Sequence, residues 1–116
     1  MAASKLALKT ATQECCVVPP EAAEEPGPLP DVALAAMAKA LGHPTRLRIV
    51  RLLAERRSCV TGDLMAELPL AQSTISEHLR ILREAGLVEG EIEGPRTSYC
   101  VNWAGLAALK RAVAEL

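Results

Sequence analysis

Two helices separated by a proline-containing turn occupy the middle of this 116-residue chain, and they constrain its fold more than any other feature. Thr61 is placed to cap a short helix over about residues 62–68, with Leu64 and Leu68 facing inward, and Pro69 breaks it. A longer helix follows over about residues 72–85. There Ile75, Leu79 and Leu82 recur at i, i+4 and i+7, and Gly86 is its stop. A short helix, a tight turn and a longer helix make a helix-turn-helix. Val88 to Ile92 and Thr97 to Asn102 then read as two strands joined by the turn-forming set Glu93, Gly94, Pro95 and Arg96, a hairpin wing.

The remaining pattern agrees with a mainly α, α+β chain. Half the residues are apolar, yet there is one Trp, one Tyr and no Phe. The core must therefore be aliphatic, which favours packed helices over an aromatic-rich sheet. Asp31 is a good N-cap for a helix carrying Leu34, Met37, Ala38 and Leu41 on one face, with Gly42 as its end. Pro44 fits the first turn of a second helix that buries Leu47, Ile49, Val50, Leu52 and Leu53. It leaves Arg46, Arg48, Arg51 and Arg57 for solvent or phosphate. Asn102 can cap a last helix with a stripe of Leu106, Leu109, Val113 and Leu116. Such a helix of about 13 residues is marginal alone, so the stripe is expected to pack on a symmetry mate, giving a homodimer through terminal helices.

Five of the eight prolines fall between Pro19 and Pro30. That stretch reads as an extended linker, dividing the chain into a thiol-bearing arm with its linker at 1–30 and a DNA-binding and dimerisation domain at 31–116. No apolar run approaches the roughly 18 residues of a spanning helix, and Lys5 and Lys9 interrupt the N-terminal apolar stretch. A cytoplasmic protein without a membrane partner is expected, with its four cysteines reduced. The first 31 residues set two lysines against five acids, net −3, whereas the rest sets 11 basic against 9 acidic residues, net +2. Bulk charge therefore argues little for nucleic acid. The motif must carry that reading.

Ile75, Leu79 and Leu82 define the buried side of the longer helix, leaving Ser73, Ser76, Glu77 and Arg80 opposite, while Gln72 and Thr74 lie at its N-terminal end. These six are the expected contacts to double-stranded operator DNA. Gln can pair with adenine, Glu with the cytosine amino group and Arg with guanine. His78, at the edge of the apolar stripe, reads as a structural, hydrogen-bonded residue. Arg96 at the wing tip reads as a minor-groove or phosphate contact, the alternative being a solvated arginine.

Cys15 and Cys16 are adjacent, and Cα atoms about 3.8 Å apart across a trans peptide are too close for an unstrained disulfide. Two neighbouring sulfurs instead suit one soft centre. Cys59, read as the opening of the short helix, is the candidate third ligand. Three thiolates in a pyramid suit trivalent arsenic or antimony, whereas zinc wants a closed tetrahedron. Cys100 reads as a bystander. As a fourth ligand it would favour zinc or cadmium.

Ser73-Thr74-Ile75-Ser76-Glu77-His78-Leu79-Arg80, followed by Leu82-Arg83-Glu84-Ala85-Gly86-Leu87-Val88, resembles the ArsR/SmtB family of winged helix-turn-helix repressors. Leu41-Gly42-His43-Pro44-Thr45-Arg46-Leu47-Arg48-Ile49 and the Glu93-Gly94-Pro95-Arg96 tip are similar to it too, so that the resemblance covers about residues 32–116. Glu14-Cys15-Cys16 resembles an arsenical-sensing branch with two adjacent N-terminal thiols and one near the third helix. The resemblance implies a homodimeric arsenic-resistance repressor that leaves DNA when As(III) or Sb(III) binds as inducer, with Cys59 of the opposite subunit completing the site and no organic cofactor. Ala71 departs from the Ser that members often carry at the N-cap of the reading helix, and the last helix has no His of the kind the zinc- and nickel-sensing branches use. The alternative within the fold is a cadmium-, lead- or zinc-responsive repressor, or a thiol-redox-responsive one using Cys59 and Cys100. An arsenate-reductase-like thiol enzyme is excluded. Its loop needs Arg at the sixth position after the Cys, where this chain has Glu21, Ala22, Met65 and Leu106.

Overall fold

The computed structural model describes residues 28–56, 59–93 and 96–116, with the backbone alone at 59–62, 91–93, 96 and 97. Helix α1 spans Asp31–Leu41 and α2 spans Pro44–Arg56. A two-residue strand β1, Cys59–Val60, leads directly into α3, Thr61–Glu67. The reading helix α4 runs Gln72–Glu84, the wing is β2, Val88–Glu93, with β3, Arg96–Val101, and α5 closes the chain at Trp103–Ala114. Asp31 begins α1 in its first turn while Pro30 occupies the N-cap position.

The core is aliphatic, as the composition requires. Ile49 and Leu53 of α2, Leu64 of α3 and Ile75, Leu79 and Leu82 of α4 are all at most 1% exposed, and Leu87, Val88 and Val101 close it from the wing side. The helix-turn-helix is thus held by its apolar stripe, with α2 beneath it. An Arg56–Glu67 ion pair joins α2 to α3 at the surface.

Helix α4 ends in a Schellman motif. Gly86 takes φ 90, its N–H donates to the Arg83 carbonyl at 3.0 Å, and the Leu87 N–H donates to the Leu82 carbonyl at 3.0 Å. Helix α5 is seated on that same corner. The Asn102 side chain accepts from the Gly105 N–H at 3.2 Å and donates to the Gly86 carbonyl at 2.8 Å, so one amide caps α5 and fixes its start to the exit of α4.

The hairpin is longer than expected at its tip, because Glu93 pairs with Arg96. It also gains a third strand. The sheet order is β1-β3-β2, with Cys59 opposite Tyr99 and Val60 opposite Ser98. Cys59 therefore lies in an antiparallel strand and does not open α3, a correction to its expected place at a helix start. Two residues carry no readable period, and a nonlocal partner defines this strand.

At its other end α4 is poorly capped. Ala71 has extended N-cap backbone (φ −68, ψ 153) but no side-chain hydrogen bond, and no acid stands in the first turn. Ala71→Ser places a hydroxyl where it can accept from an orphan N–H, and is expected to raise stability by about 1 kcal/mol, read as a higher urea midpoint with unchanged m-value.

Candidate nucleic-acid interface

Gln72, Ser73, Thr74, Ser76, Glu77 and Arg80 are all exposed, while Ile75 and Leu79 between them are at 0%. The apolar stripe fixes which side of α4 packs and therefore which side is offered outward. On that outer side Arg80 is held by carboxylates one turn away in each direction. Its Nη2 bonds Glu77 Oε2 at 2.5 Å and its Nη1 bonds Glu84 Oε2 at 2.9 Å. The Arg80 guanidinium holds the Glu77 carboxyl below the usual carboxylate range, and the bonds to Glu77 and Glu84 push the Arg80 pKa above its ordinary value. Both expected base-reading charges are thus engaged with each other before any duplex arrives, and Arg80 must exchange a carboxylate for a guanine edge. Arg96 occupies its expected place at the wing tip, paired in backbone register with Glu93.

Sequence reasoning missed a second polar cluster behind this face. The Arg46 Nε–H donates to the Ala40 carbonyl at 2.6 Å, and its Nη1 lies 3.3 Å from His78 Nδ1. Arg46 therefore turns into the corner between α1 and α2, in place of the solvent or phosphate position expected from its helical spacing. His78 has the structural, hydrogen-bonded role expected of it.

The thiols are distributed unevenly. Cys15 and Cys16 lie outside the described residues, and Cys59 is placed by its backbone in β1, two residues ahead of α3. Cys100 is 1% exposed and disulfide-bonded, which corrects the expectation that all four cysteines are reduced. It is buried beside Ser98, itself at 3%. Among the described residues no group of three His, Cys, Asp or Glu could hold a metal ion, and no helix is long and apolar enough to cross a membrane.

Along α5, Val113 is 50% exposed and Leu116 beyond its end is 93% exposed, whereas Leu109 is buried. An apolar cleft of about 640 Å³ lies between α2 and α5, lined by residues that include Leu41, Leu47, Val50, Trp103, Leu106 and Val113. Leu47, expected inside, is 37% exposed at its rim.

A family model described as bacterial regulatory protein, arsR family, matches residues 43–90, the stretch from the α1–α2 corner through the reading helix into the wing. An HTH-type transcriptional regulator of Methanocaldococcus jannaschii is 46% identical over 63 residues, covering 54% of this chain and 71% of that protein. This chain belongs to the ArsR family. The regulator CmtR of Mycobacterium tuberculosis is 42% identical over 84 residues, covering 72% of this chain and 68% of CmtR. Among solved structures, a possible transcriptional regulator for arsenical resistance superposes with TM-score 0.64 at 35% identity, over 69% of this chain and 82% of that one. A homodimeric winged helix-turn-helix DNA-binding domain from Mycobacterium bovis superposes with TM-score 0.60 at 32% identity, over 72% and 80%. The ArsR-family chain is thus a DNA-binding transcriptional regulator with a winged helix-turn-helix, and not an enzyme.

Proposed function

We propose that this ArsR-family regulator is a cytoplasmic, homodimeric repressor that holds operator DNA until As(III) or Sb(III) is captured by Cys15, Cys16 and Cys59. The observation that carries the reading is the position of Cys59. Its strand is continuous with α3, the first helix of the helix-turn-helix, and its backbone pairs with Tyr99 on the wing strand β3. A bond drawn onto this residue pulls at once on the DNA-docking unit and on the wing. Cys15 and Cys16 supply the other two sulfurs on an arm whose 15 steps to Asp31 reach up to roughly 46 Å in a proline-rich chain, enough for Cys59 of either subunit. The outward apolar residues of α5 and the α2–α5 cleft suit closure by a second copy of the chain. Two reading helices then dock in successive major grooves about 34 Å apart.

A coupling of about 2.7 kcal/mol between the two sites corresponds to a hundredfold loss of DNA affinity. Fluorescence anisotropy of a duplex selected by the protein from a random library is expected to show that loss with arsenite under reducing conditions. Cys15→Ser, Cys16→Ser and Cys59→Ser variants should bind the same duplex normally and stay bound. Release of all three by arsenite sinks the thiol site, as does an X-ray absorption spectrum showing nitrogen or oxygen neighbours around arsenic.

One observation favours a second reading, a thiol-redox-responsive repressor: Cys100 is disulfide-bonded. On that reading diamide releases the duplex and Cys100→Ser does not respond to it. On the first reading Cys100→Ser still responds to arsenite. Cadmium and zinc in the same titration test the remaining metal readings.

A further inference from the structure

The reading helix is fixed to the α1–α2 corner through two imidazoles. The rings of His43 and His78 lie 4.8 Å apart between centroids, inclined at 50°. The Thr45 backbone N–H donates to His43 Nδ1 at 3.1 Å, and Arg46 Nη1 lies 3.3 Å from His78 Nδ1. Neither a peptide N–H nor a guanidinium can accept a hydrogen bond. Both Nδ1 atoms must therefore be the acceptors, and each neutral ring carries its proton on Nε2. Nδ1 is then the only ring nitrogen left to take up a further proton, and protonating it sets a donor against a donor.

We infer that His43, His78 and Arg46 form a proton-sensitive positioning joint: acidification opens it, frees α4 from the α1–α2 corner and weakens DNA binding. Arg46 is shared between this joint and the Ala40 carbonyl at the end of α1, so loosening at His78 is felt by the helix that packs on α5. Arg46 opposes a second positive charge. Lys39 of α1 lines the adjoining cleft with Arg46. Glu77 next to His78 acts the other way, and Glu84 lines the same cleft as Lys39, but both carboxylates are already bonded to Arg80. Burial, then His43 and Arg46, push the His78 imidazole below its ordinary value. For a base so depressed the unfolded chain takes up more protons than the folded one as pH falls below about 6.5. The joint is intact above that pH and is lost progressively below it.

The expected sign is unusual, because added positive charge by itself strengthens attraction to a phosphate backbone. At fixed ionic strength, anisotropy with a duplex selected at pH 7.5 should show affinity falling at least threefold between pH 7.5 and pH 5.5. The double variant His43→Asn, His78→Asn keeps an accepting oxygen on Cγ at both positions, where Nδ1 stood, and cannot titrate there; its affinity should change less than twofold. Constant or rising wild-type affinity on acidification, or a parallel fall in the double variant, overturns the joint. Should that variant fail to fold, the wild type still decides the matter. The chain has only two histidines, so their imidazole NMR signals are readily assigned. The Thr45 amide resonance must move in step with the His43 ring, and an amide unmoved through the ring's titration refutes the proposal. The thiols take no part, so Cys15→Ser should retain the whole pH response.

Discussion

Gly105→Ala is expected to cost about 3 kcal/mol. A Cβ at this position would stand 2.0 Å from the Gly86 carbonyl oxygen, 3.2 Å from its carbon and 2.9 Å from Asn102 Nδ2. The two nearest obstacles differ in kind. A side-chain amide can swing aside, but doing so gives up the bonds by which Asn102 caps α5 and holds Gly86. The Gly86 carbonyl belongs to the backbone of a helix-ending turn at φ 90 and has no such freedom. Alanine recovers up to about 1 kcal/mol of helix propensity over glycine, against an overpacking cost at or beyond the usual 1–3 kcal/mol because backbone must move. The melting temperature by circular dichroism should fall by roughly 15 °C for a domain of this size. A variant melting within 2 °C of wild type would show that α5 and the α4 exit separate easily.

Leu79→Ala should cost about 3 kcal/mol by a different route. Leu79 is at 0% exposure in the centre of the stripe that binds the reading helix to the core, and truncation there removes transfer energy and leaves a cavity. Urea unfolding measures the loss directly. The same variant should bind DNA less tightly at temperatures where it remains folded, since the stripe that orients Ser76, Glu77 and Arg80 is weakened. Leu79→Met, which roughly conserves volume, should lose less than 1.5 kcal/mol. Equal losses in the two variants would mean that packing at this position does not set stability.

Those two positions differ in how openly the chain announces them. The role of Leu79 is written in its spacing from Ile75 and Leu82, and the same period located α4 to within a residue of its end. Asn102 was equally legible as a helix start. Gly105 was not, because its importance comes from a carbonyl 19 positions away in sequence that no local pattern encodes. Strand β1 was hidden for the same reason: two residues become a strand only through pairing with β3. Arg46 was misplaced because helical spacing assigns charged residues to the wet side, and here a backbone carbonyl and an imidazole outweigh water. The hold on Arg80 could have been read in advance, since Glu77 and Glu84 stand at i−3 and i+4. Ala71 shows the converse, a weak cap visible both as a missing hydroxyl in the sequence and as a missing bond in the fold.

Trp103 is the sole indole in the chain and stands at the edge of the α2–α5 cleft, partly open to water. Its ultraviolet emission is thereby a built-in optical gauge of that surface. Whatever comes to cover the cleft will dry the ring and shift its colour toward the blue, without a dye having to be attached.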